Sequence, residues 1–566
     1  MYHSRRTIAM RVTGAVVAFV AMLAVPPPAQ AARPAGSSPV TVAPACPGPT
    51  RPGEVTCDAL VRTDIAAVPS LAPNEVPSGY SPADLAQAYS LRTNHGAGAT
   101  VAMVNAFQDP TIEHDLGVYR EQFGLPPCTT ANGCFHVVNQ HGDPSPLPLH
   151  DPRDFTAALE QALNVEMVSA VCPLCHILLV EANSSNTFDM YQAEDYATAH
   201  ATYVSNNWGL PEYAGETADD AHFNRPGVVI TASTGDNGHA QQYPATSPYV
   251  TAVGGTSLHR AGNARGFTED AWDSAGSACS TYEPRPAWQL AVTTCDNRAE
   301  ADVSATADPS YPVAVYDSYG HNGWITSGGT SVSTPIITAI YALAGTPRAT
   351  DYPVTYLYTH AQYLNDITTG DANGNCGAPI CDATTGWDGP SGLGSPNGST
   401  AFTYKFPFSV ASPGDQHTNI HNIVNLQLQA FNGDPPYHWA ASGLPIGLDI
   451  DLNSGMIFGQ VTQVGNFGVT IFVADSNPET PGIAYSFHWL VTQPMAVVPS
   501  IIGLSQGTAT NVLNAAGLVM GAHPGVVNCN FLNEVASQTP DAGTVVPYGT
   551  AVDVTIGRKP SRGGCP

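Results

Sequence analysis

The pattern of apolar and polar positions predicts buried strands and helices over the first two thirds of the chain. Residues 99–105 and 230–233 are short apolar runs with the character of buried strands, and the second leads into a glycine-flanked aspartate, Asp236. Residues 155–170 are rich in Ala, Leu, Met and Glu and predict a helix. A glycine-rich turn leads through Ser331 into an apolar run, which places this serine at the start of another helix.

After about residue 403 the pattern changes to short strands that alternate apolar and polar residues. The alternation covers residues 422–430, 465–474 and 483–492, as expected for strands with one buried face. We therefore expect an all-β sandwich of about 90 residues. The strings 443–448 and 453–459 resemble the immunoglobulin-like modules of bacterial surface proteins. A spacer and a sugar-binding adhesion module are both compatible with this part of the sequence.

The residues that follow the sandwich predict one helix against a small sheet. Residues 498–504 precede a helix over 508–516 that ends at Gly517, and strand-like stretches at 535–544 and 548–556 come after it. This order resembles a PASTA domain, a module linked elsewhere to recognition of cell-wall peptidoglycan. The resemblance implies peptidoglycan as a partner, although a single copy is also compatible with a spacer.

Ser331 lies in a string that is typical of the nucleophile of subtilisin-like proteases. The string, Trp-Ile-Thr-Ser-Gly-Gly-Thr-Ser-Val-Ser-Thr-Pro, covers residues 324–335. Its glycines permit a tight turn, and the N–H groups at the start of a helix favour negative charge on a bound carbonyl oxygen. A serine needs a base, usually histidine. None of the 18 histidines lies in a recognisable catalytic string, and the early strand ends in Asn105 rather than the aspartate of subtilisin-like proteases, so we do not expect a histidine triad.

A glutamate is the candidate base instead. Glu160 and Asn164 are four residues apart in the predicted helix and therefore share one face. Together with Ser331 and Asp236 they resemble the catalytic residues of the sedolisin family, the serine-carboxyl peptidases, and the likeness extends over residues 77–398. The resemblance implies an α/β fold with a subtilisin-like parallel sheet flanked by helices. It also implies that Glu160 is the base, Ser331 the nucleophile and Asp236 the oxyanion-binding residue.

One position departs from the family pattern. The aspartate that completes the sedolisin triad is Asn164 here, and an amide accepts a hydrogen bond but cannot take up a proton. Glu166 does not replace it, since two further residues along a helix turn the side chain by roughly 200°. Two functions therefore remain open. One is a secreted serine endopeptidase that hydrolyses proteins, at acidic pH according to the resemblance, and the other is a catalytically impaired relative that binds peptides or the cell wall.

Two aspartates on glycine-rich loops form a candidate metal site. Asp366 begins the string Asp-Ile-Thr-Thr-Gly, and Asp388 lies in Thr-Thr-Gly-Trp-Asp-Gly. Carboxylate and backbone carbonyl oxygens suit a hard cation such as Ca²⁺. Without the family resemblance, the first string reads as a capped turn. The resemblance implies one structural Ca²⁺, held by the side chains of Asp366 and Asp388 and by the carbonyls of Ile367, Thr384 and Gly386.

Composition narrows the compartment and the classes of partner. The 566 residues carry a formal net charge of −27 and include two lysines, so the surface repels nucleic acid and anionic lipid. A basic start, an apolar run at 12–25 and Ala-Gln-Ala at 29–31 predict a secretory signal peptide. The apolar run is too short to span a membrane. We therefore expect a secreted, extracellular protein.

The twelve cysteines are even in number, as in proteins of an oxidising compartment. Cys172-Pro-Leu-Cys175 is compatible with a redox motif or a zinc half-site, but no second Cys or His pair stands at metal spacing, so a short bridge is favoured. Three other close pairs suggest local disulfides, and the last two pairings have no support from spacing. The predicted disulfides are Cys128–Cys134, Cys279–Cys295, Cys376–Cys381, Cys172–Cys175, Cys46–Cys57 and Cys529–Cys565.

The predicted division of the chain has six parts. Residues 32–76 are rich in Pro, Ala and Ser and look like a linker, so the large folded propeptide that most sedolisins carry is not expected. The parts are a signal peptide (1–31), this linker (32–76), a sedolisin-type peptidase domain (77–402), an immunoglobulin-like β-sandwich (403–494), a PASTA domain (495–558) and a tail (559–566).

Overall fold

The computed structural model describes most of the chain from residue 40 onward. The predicted signal peptide, residues 1–31, lies outside the described residues. Among the described residues, no helix is both long enough and apolar enough to cross a bilayer. The described residues are 40–46, 48–49, 51–72, 75–150, 157–406, 408–433, 435–476, 482–562 and 564–565.

Strands and helices alternate over the part of the chain that carries the candidate catalytic residues. The helices are α1 (Pro82–Ala88), α2 (Ile112–Gln122), α3 (Ala157–Val171), α4 (Thr187–His200), α5 (Glu216–Asp219), α6 (Thr330–Ala344) and α7 (Val354–Thr359). The strands are β1 (Val42–Pro44), β2 (Thr56–Cys57), β3 (Leu60–Arg62), β4 (Thr100–Ala106), β5 (Phe135–Asn139), β6 (His176–Ala182), β7 (Tyr203–Asn206), β8 (Trp208–Pro211), β9 (Val229–Ser233), β10 (Gln242–Tyr243), β11 (Thr251–Arg260), β12 (Phe267–Ala271), β13 (Ala278–Pro284), β14 (Asn297–Glu300), β15 (Val303–Thr306), β16 (Val313–Asp317), β17 (Gly323–Gly328), β18 (Leu364–Asn365) and β19 (Ser395–Pro396).

A central sheet organises this region. Its strands follow the order β12-β11-β9-β7-β4-β6-β5, with β15 also paired to β11, and every pair except β11–β12 is parallel. Alternate residues of β4 face opposite sides, so Val101 and Met103 join the core that contains α3 and α6, whereas Ala102 and Val104 join the core that contains α4. The subtilisin-like α/β fold expected from the sequence is confirmed.

Helix α3 is buried on all sides from residue 158 to its end. A helix in this position is normally apolar around its whole circumference. Here five of its buried residues are polar, and a buried polar group costs free energy unless it finds a partner or is neutral. The helix therefore carries more polarity than packing requires, and its buried polar residues are Glu160, Gln161, Asn164, Glu166 and Ser169.

Part of the predicted linker pairs with strands of the region that carries the candidate catalytic residues. Strands β1 and β3 lie in a sheet of order β1-β3-β17-β16, and β2 pairs with β8. The structure thus differs from the expectation of a linker over residues 32–76. These strands are only two or three residues long, and their partners β8 and β17 lie far along the chain. Local periodicity in the sequence therefore does not predict them.

The chain beyond residue 403 contains two further groups of strands. In the first, a sheet of order β21-β28-β27-β24 and one of order β22-β26-β25 enclose a core that contains Trp439 and Trp489. In the second, helix α8 packs on small sheets. The elements are β20 (Ser409–Val410), β21 (Gln416–Asn419), β22 (Ile423–Gln427), β23 (Ala430–Phe431), β24 (His438–Ser442), β25 (Leu448–Ile450), β26 (Met456–Gln460), β27 (Gly465–Ala474), β28 (Ile483–Thr492), β29 (Met495–Val497), α8 (Gln506–Ala515), β30 (Val519–Met520), β31 (Gly525–Val527), β32 (Val535–Thr539), β33 (Val545–Pro547) and β34 (Ala551–Arg558).

All twelve cysteines are paired, and the pairing predicted from the sequence is confirmed. Five of the six disulfides join cysteines that are at most 16 residues apart. Cys172 and Cys175 form a bridge with each other, which leaves neither thiolate for a zinc ion. The Cys46–Cys57 bridge, which spacing did not support, ties residue 46 to strand β2.

Several carboxyl groups are buried without compensating partners. Glu181 in β6 is fully buried, and neither of its carboxylate oxygens has a hydrogen bond of regular geometry. Burial raises the pKa of Glu181 to about 9 and that of Glu194 to about 8. Because such groups bind a proton in the folded protein and lose it in the unfolded chain, folding takes up protons between about pH 4.5 and 8.

We expect the thermal stability of the protein to fall as the pH rises from about 4.5 to 8. A carboxyl whose pKa is raised by folding stabilises the native state fully below its unfolded pKa, and this contribution is lost as the pH approaches the folded value. The melting temperature should drop by about 5 °C or more over this range. Glu181→Gln should reduce the pH dependence, whereas Glu121→Gln, at an exposed position of α2, should not. A melting temperature that rises with pH would contradict this account.

Candidate active site

Ser331 lies at the N-terminus of α6, where strand β17 turns into the helix. Gly329 makes this turn with a φ of 94°, which glycine adopts without strain. The side chain of Ser331 is fully buried. Its Oγ accepts a hydrogen bond from the N–H of Asp58 (3.1 Å) and donates one to the carbonyl of Asn207 (3.2 Å). The serine therefore begins a helix, as the sequence predicts, and the helix N-terminus adds positive potential beside its hydroxyl.

The carboxyl of Glu160 approaches the same hydroxyl from α3. Glu160 is 3% exposed, and neither of its carboxylate oxygens has a hydrogen bond of regular geometry. Burial raises the pKa of Glu160 to about 8; its interactions with Ser331 and Asn164 oppose this rise, and the charge of Asp58 adds to it. The packing of α3 against α6 thus brings the candidate base and the candidate nucleophile together.

Asn164 lies one helical turn after Glu160, as its spacing predicts, and is fully buried. Its Nδ2 donates to Oδ1 of Asn105 at 3.3 Å, and its own Oδ1 has no partner. The amide thus connects the candidate base to the end of strand β4. Glu166, two residues further on, accepts a hydrogen bond from the N–H of Tyr316 (3.0 Å), so it does not take the place of the missing aspartate.

Asp236 follows strand β9 and reaches the same turn from the other side. Its Oδ1 accepts hydrogen bonds from the N–H and the Oγ1–H of Thr330, both at 2.8 Å, while its buried Oδ2 has no partner. Burial, followed by the charge of Asp58, raises the pKa of Asp236 well above its usual range. Asp236 therefore keeps its proton to a higher pH than an exposed aspartate does.

Comparison with known proteins agrees with this arrangement. Residues 156–387 match the subtilase family, and residues 496–558 match the PASTA domain. Kumamolisin from Bacillus sp. (strain MN-32) is 29% identical over 365 residues, which are 57% of this chain and 63% of that protein. Sedolisin from Pseudomonas sp. (strain 101) is 28% identical over 273 residues, 42% of this chain and 41% of that protein. The chain contains a subtilase-type domain that is similar to kumamolisin and sedolisin.

One further relative and one solved structure are similar to parts of this chain. Tripeptidyl-peptidase sed1 from Aspergillus fumigatus is 32% identical over 197 residues, 28% of this chain and 29% of that protein. The solved structure of Pseudomonas sedolisin complexed with two molecules of pseudo-iodotyrostatin aligns with 57% of this chain and 96% of its own, with a TM-score of 0.48 and 23% identity. The chain spans 63% of the length of kumamolisin and 41% of that of sedolisin.

The sedolisin-type site contains a third carboxyl group that sequence reasoning missed. Asp58 is 5% exposed, and its Oδ2 accepts hydrogen bonds from Ser233 Oγ (2.5 Å) and Gln242 Nε2 (2.6 Å). Burial raises the pKa of Asp58 to about 6, against the effect of these two bonds. Asp58 belongs to no recognisable motif. The one feature of the sequence that pointed to this segment was the predicted disulfide between its neighbour Cys57 and Cys46.

The loops of the predicted calcium site converge in the structure. Both oxygens of Asp366 accept hydrogen bonds from the N–H of Gly386 (3.1 and 3.2 Å), and Asp388 Oδ2 accepts one from the N–H of Thr384 (2.9 Å). Burial, with a smaller contribution from Asp366, raises the pKa of Asp388 to about 7. Two carboxyl groups therefore face the same loop. The larger groups of potential ligands in the described residues contain disulfide-bonded cysteines, which are not available to a metal.

We expect Gly329→Ala to disturb the site far more than Gly345→Ala, although the two glycines flank the same helix with φ values of 94° and 93°. A Cβ at residue 329 would lie 2.0 Å from the carbonyl oxygen of Asp58 and 2.6 Å from Asp236 Oδ2, whereas a Cβ at residue 345 meets nothing within 4 Å. Both variants lose about 1–3 kcal/mol of unfolding free energy to backbone strain. Gly329→Ala should lose about 2 kcal/mol more through overpacking. Denaturant unfolding measures the difference, and equal losses would contradict the geometry.

Proposed function

We propose that the protein is a secreted serine-carboxyl endopeptidase that hydrolyses peptide bonds in proteins at acidic pH. The observation that carries this proposal is the meeting of Glu160, Ser331 and Asp236 in one buried volume at the N-terminus of α6. The three side chains come from separate elements, α3, α6 and the loop after β9. Packing alone does not explain why two carboxyl groups and a hydroxyl are buried together, because burying polar groups costs free energy.

In the proposed reaction, Ser331 Oγ forms a bond to the carbonyl carbon of the peptide while its proton passes to Glu160. The electrons of the carbonyl bond move to its oxygen, which accepts hydrogen bonds from the N–H of Ser331 and from Asp236 as a neutral acid. Glu160 then returns the proton to the nitrogen as the C–N bond breaks. Water, deprotonated by Glu160, hydrolyses the resulting acyl-serine. In this scheme Asn164 positions Glu160 and takes no proton.

The acidic pH follows from the role of Asp236. A carboxyl group donates a hydrogen bond to an oxyanion only in its protonated form. Burial and the neighbouring carboxyl of Asp58 favour that form, so the donor is lost only when the pH rises through a pKa that lies well above the usual range. The rate should therefore decline on the alkaline side of the profile, and a profile without such a decline contradicts this role.

We expect Ser331→Ala to abolish the hydrolysis of denatured casein and Asn164→Asp to raise it by about tenfold or more. An aspartate at residue 164 would share a proton with Glu160, which the amide cannot do. Ser333→Ala is a matched control, because Ser333 is also buried in α6 and its hydroxyl only donates to the carbonyl of Thr330 (3.0 Å). Casein hydrolysis should be measured from about pH 3 to 7.

The second candidate function is a catalytically impaired sedolisin-like protein that binds peptides or the cell wall. The observation that favours it is the buried amide of Asn164, whose Nδ2 bonds to Asn105 and whose Oδ1 has no partner. Casein hydrolysis that appears only in Asn164→Asp would establish this second function. Hydrolysis by the unaltered protein that is lost in Ser331→Ala would exclude it.

We further propose one structural Ca²⁺ at the loops of Asp366 and Asp388. The residues fit such an ion, because two carboxyl groups face one loop and accept hydrogen bonds from its N–H groups. Oxygen donors of this kind suit Ca²⁺. The carbonyls of Ile367, Thr384 and Gly386 would complete the ligand set. The ion would neutralise two neighbouring carboxylates and tie the loop before Asp388 to the body of the domain.

Removal of Ca²⁺ with EGTA should lower the melting temperature by about 5 °C or more, through loss of the binding free energy. Asp388→Asn should abolish the difference between the protein with and without Ca²⁺. Asp371→Asn, at an exposed neighbouring position, should leave it unchanged. A melting temperature that does not respond to EGTA would contradict the calcium site, whatever the activity of the protein.

The remaining parts of the chain complete the proposal. We retain the division at residues 402/403 and 494/495, with an immunoglobulin-like spacer and a PASTA domain whose partner would be peptidoglycan. Two enclosed sheets support the spacer, and the PASTA match over residues 496–558 supports the second assignment. An extracellular location is supported by the six disulfides, which persist in oxidising compartments.

A further inference from the structure

A groove of about 570 Å³ lies between the α/β region (β1 to β19) and the strands that follow residue 408. Its walls are helix α7 with the loop before it, residues 403–406, which we call the connector, and residues 432–433 after β23. A pocket of this volume suits a small molecule rather than a single ion. The described residues that line it include none of the candidate active site, so binding there is independent of the proposed reaction.

The charge of this groove is opposite to that of the whole chain. The chain has 19 lysine and arginine residues against 46 acidic residues. Arg348, Lys405 and His360 all line the groove. Among the described lining residues, Asp351 is the one acidic side chain, and it already accepts a hydrogen bond from the hydroxyl of Tyr356 (3.1 Å). Basic groups therefore outnumber acidic groups at this place.

An aromatic ring holds Arg348 in the groove. The Cζ atom of Arg348 lies 4.3 Å from the centre of the Tyr404 ring, and its backbone N–H donates to the hydroxyl of Tyr356 (3.1 Å). The guanidinium makes no hydrogen bond or ion pair with any residue that the structure describes. A cation–π contact does not use the N–H groups as donors, so they remain available to the oxygens of a ligand.

His360 is a buried polar side chain at the base of α7. It is 1% exposed, and neither ring nitrogen has a hydrogen bond of regular geometry. Its ring lies edge-to-face against Phe406 of the connector, with the two centres 4.5 Å apart. Burial lowers the pKa of His360, and the nearby carbonyls of Tyr356 and Thr403 oppose this effect. A buried nitrogen without a partner costs free energy, which an acceptor in the groove would recover.

The groups around His360 decide how binding there depends on pH. Arg348 and Lys405 line the same groove and disfavour a positive charge on the imidazole, whereas Asp351 favours it. An anion in the groove adds negative charge beside the ring, so binding should be coupled to the uptake of a proton by His360. The neighbouring phenols stay neutral at acidic and neutral pH, and they are those of Tyr356, Tyr404 and Tyr363.

We propose that this groove binds an anionic small molecule, whose carboxylate or phosphate group is held by Arg348, Lys405 and the imidazolium of His360. Both groups present oxygen acceptors to charged donors, which gives strong hydrogen bonds. The negative charge of the whole chain does not prevent binding, because distant charges are screened over about 8 Å at physiological ionic strength. The ligand would contact both the α/β region and the strands that follow it.

The test compares three probes on the full chain. Sodium glucuronate carries a carboxylate, glucose is its neutral counterpart, and inorganic phosphate is the second oxyanion. Binding is measured by titration calorimetry at about pH 5 and about pH 8. Buffers of different ionisation enthalpy are compared at each pH, so that the protons taken up on binding are counted.

Two variants have matched controls in the chain. Arg348→Gln removes the guanidinium, and Arg260→Gln is its control, because Arg260 also lies over aromatic rings but does not line the groove. Lys405→Gln is compared with Lys559→Gln, which removes the other lysine of the chain. His360→Gln keeps a polar side chain that cannot be protonated. Arg348 and Lys405 are exposed, so their variants provide the test if His360→Gln does not fold.

Glucuronate or phosphate should bind at least about tenfold more tightly than glucose, and the tighter of the two identifies the oxyanion. The affinity for glucuronate should be about tenfold higher at pH 5 than at pH 8, with a proton taken up on binding. Arg348→Gln and Lys405→Gln should each weaken binding by about tenfold, while both controls match the unaltered protein. His360→Gln should abolish the proton uptake.

Three outcomes overturn the proposal. If neither oxyanion binds more tightly than glucose, the groove is not an anion site. If Arg260→Gln and Lys559→Gln weaken binding as much as the groove variants do, the probes respond to the overall charge and not to this groove. If proton uptake persists in His360→Gln, the imidazole does not hold the ligand. None of these measurements depends on hydrolysis, so they leave the proposed peptidase function untouched.

Discussion

The structure around Ser331 depends on keeping three largely buried carboxyl groups close together. Glu160, Asp236 and Asp58 come from different parts of the chain; the charge of Asp58 raises the pKa of both Glu160 and Asp236, and the charge of Glu160 adds to the rise at Asp236. Such a cluster is stable only when protons are retained or shared. These carboxyl groups therefore keep their protons to a higher pH than exposed carboxyl groups do.

The packing of helices α3 and α6 fixes the positions of the polar side chains around Ser331. Helix α3 is buried on every side that the structure describes, so Glu160 and Asn164 cannot turn towards solvent and must face α6 or the sheet. Helix α6 begins at the glycine turn, which aims the Ser331 N–H and hydroxyl at the same space. The substitution of Asn for Asp at residue 164 keeps this packing, because the two side chains have nearly the same shape. The amide differs from a carboxyl group in that it cannot take up a proton.

The short strands near the amino terminus alter how the site is understood. Viewed without them, the site is an open cleft beside a helix N-terminus. With them, a peptide backbone occupies the cleft, its carbonyl meets the Ser331 N–H at 3.1 Å, and a disulfide lies against Glu160.

The sequence by itself determined the helix that begins at Ser331, the shared face of Glu160 and Asn164, and four of the six disulfide pairs, since these depend on local periodicity, turn chemistry or close spacing. It also indicated the family, and through it the fold class, by motifs whose residues lie next to one another. Only the tertiary structure decided that residues 56–62 pair with strands β8 and β17 and that Asp58 lies beside Ser331. Strands of two or three residues have no periodicity of their own, and their partners lie far along the chain. Such pairing becomes visible only when the sheet edges and the buried cleft have formed.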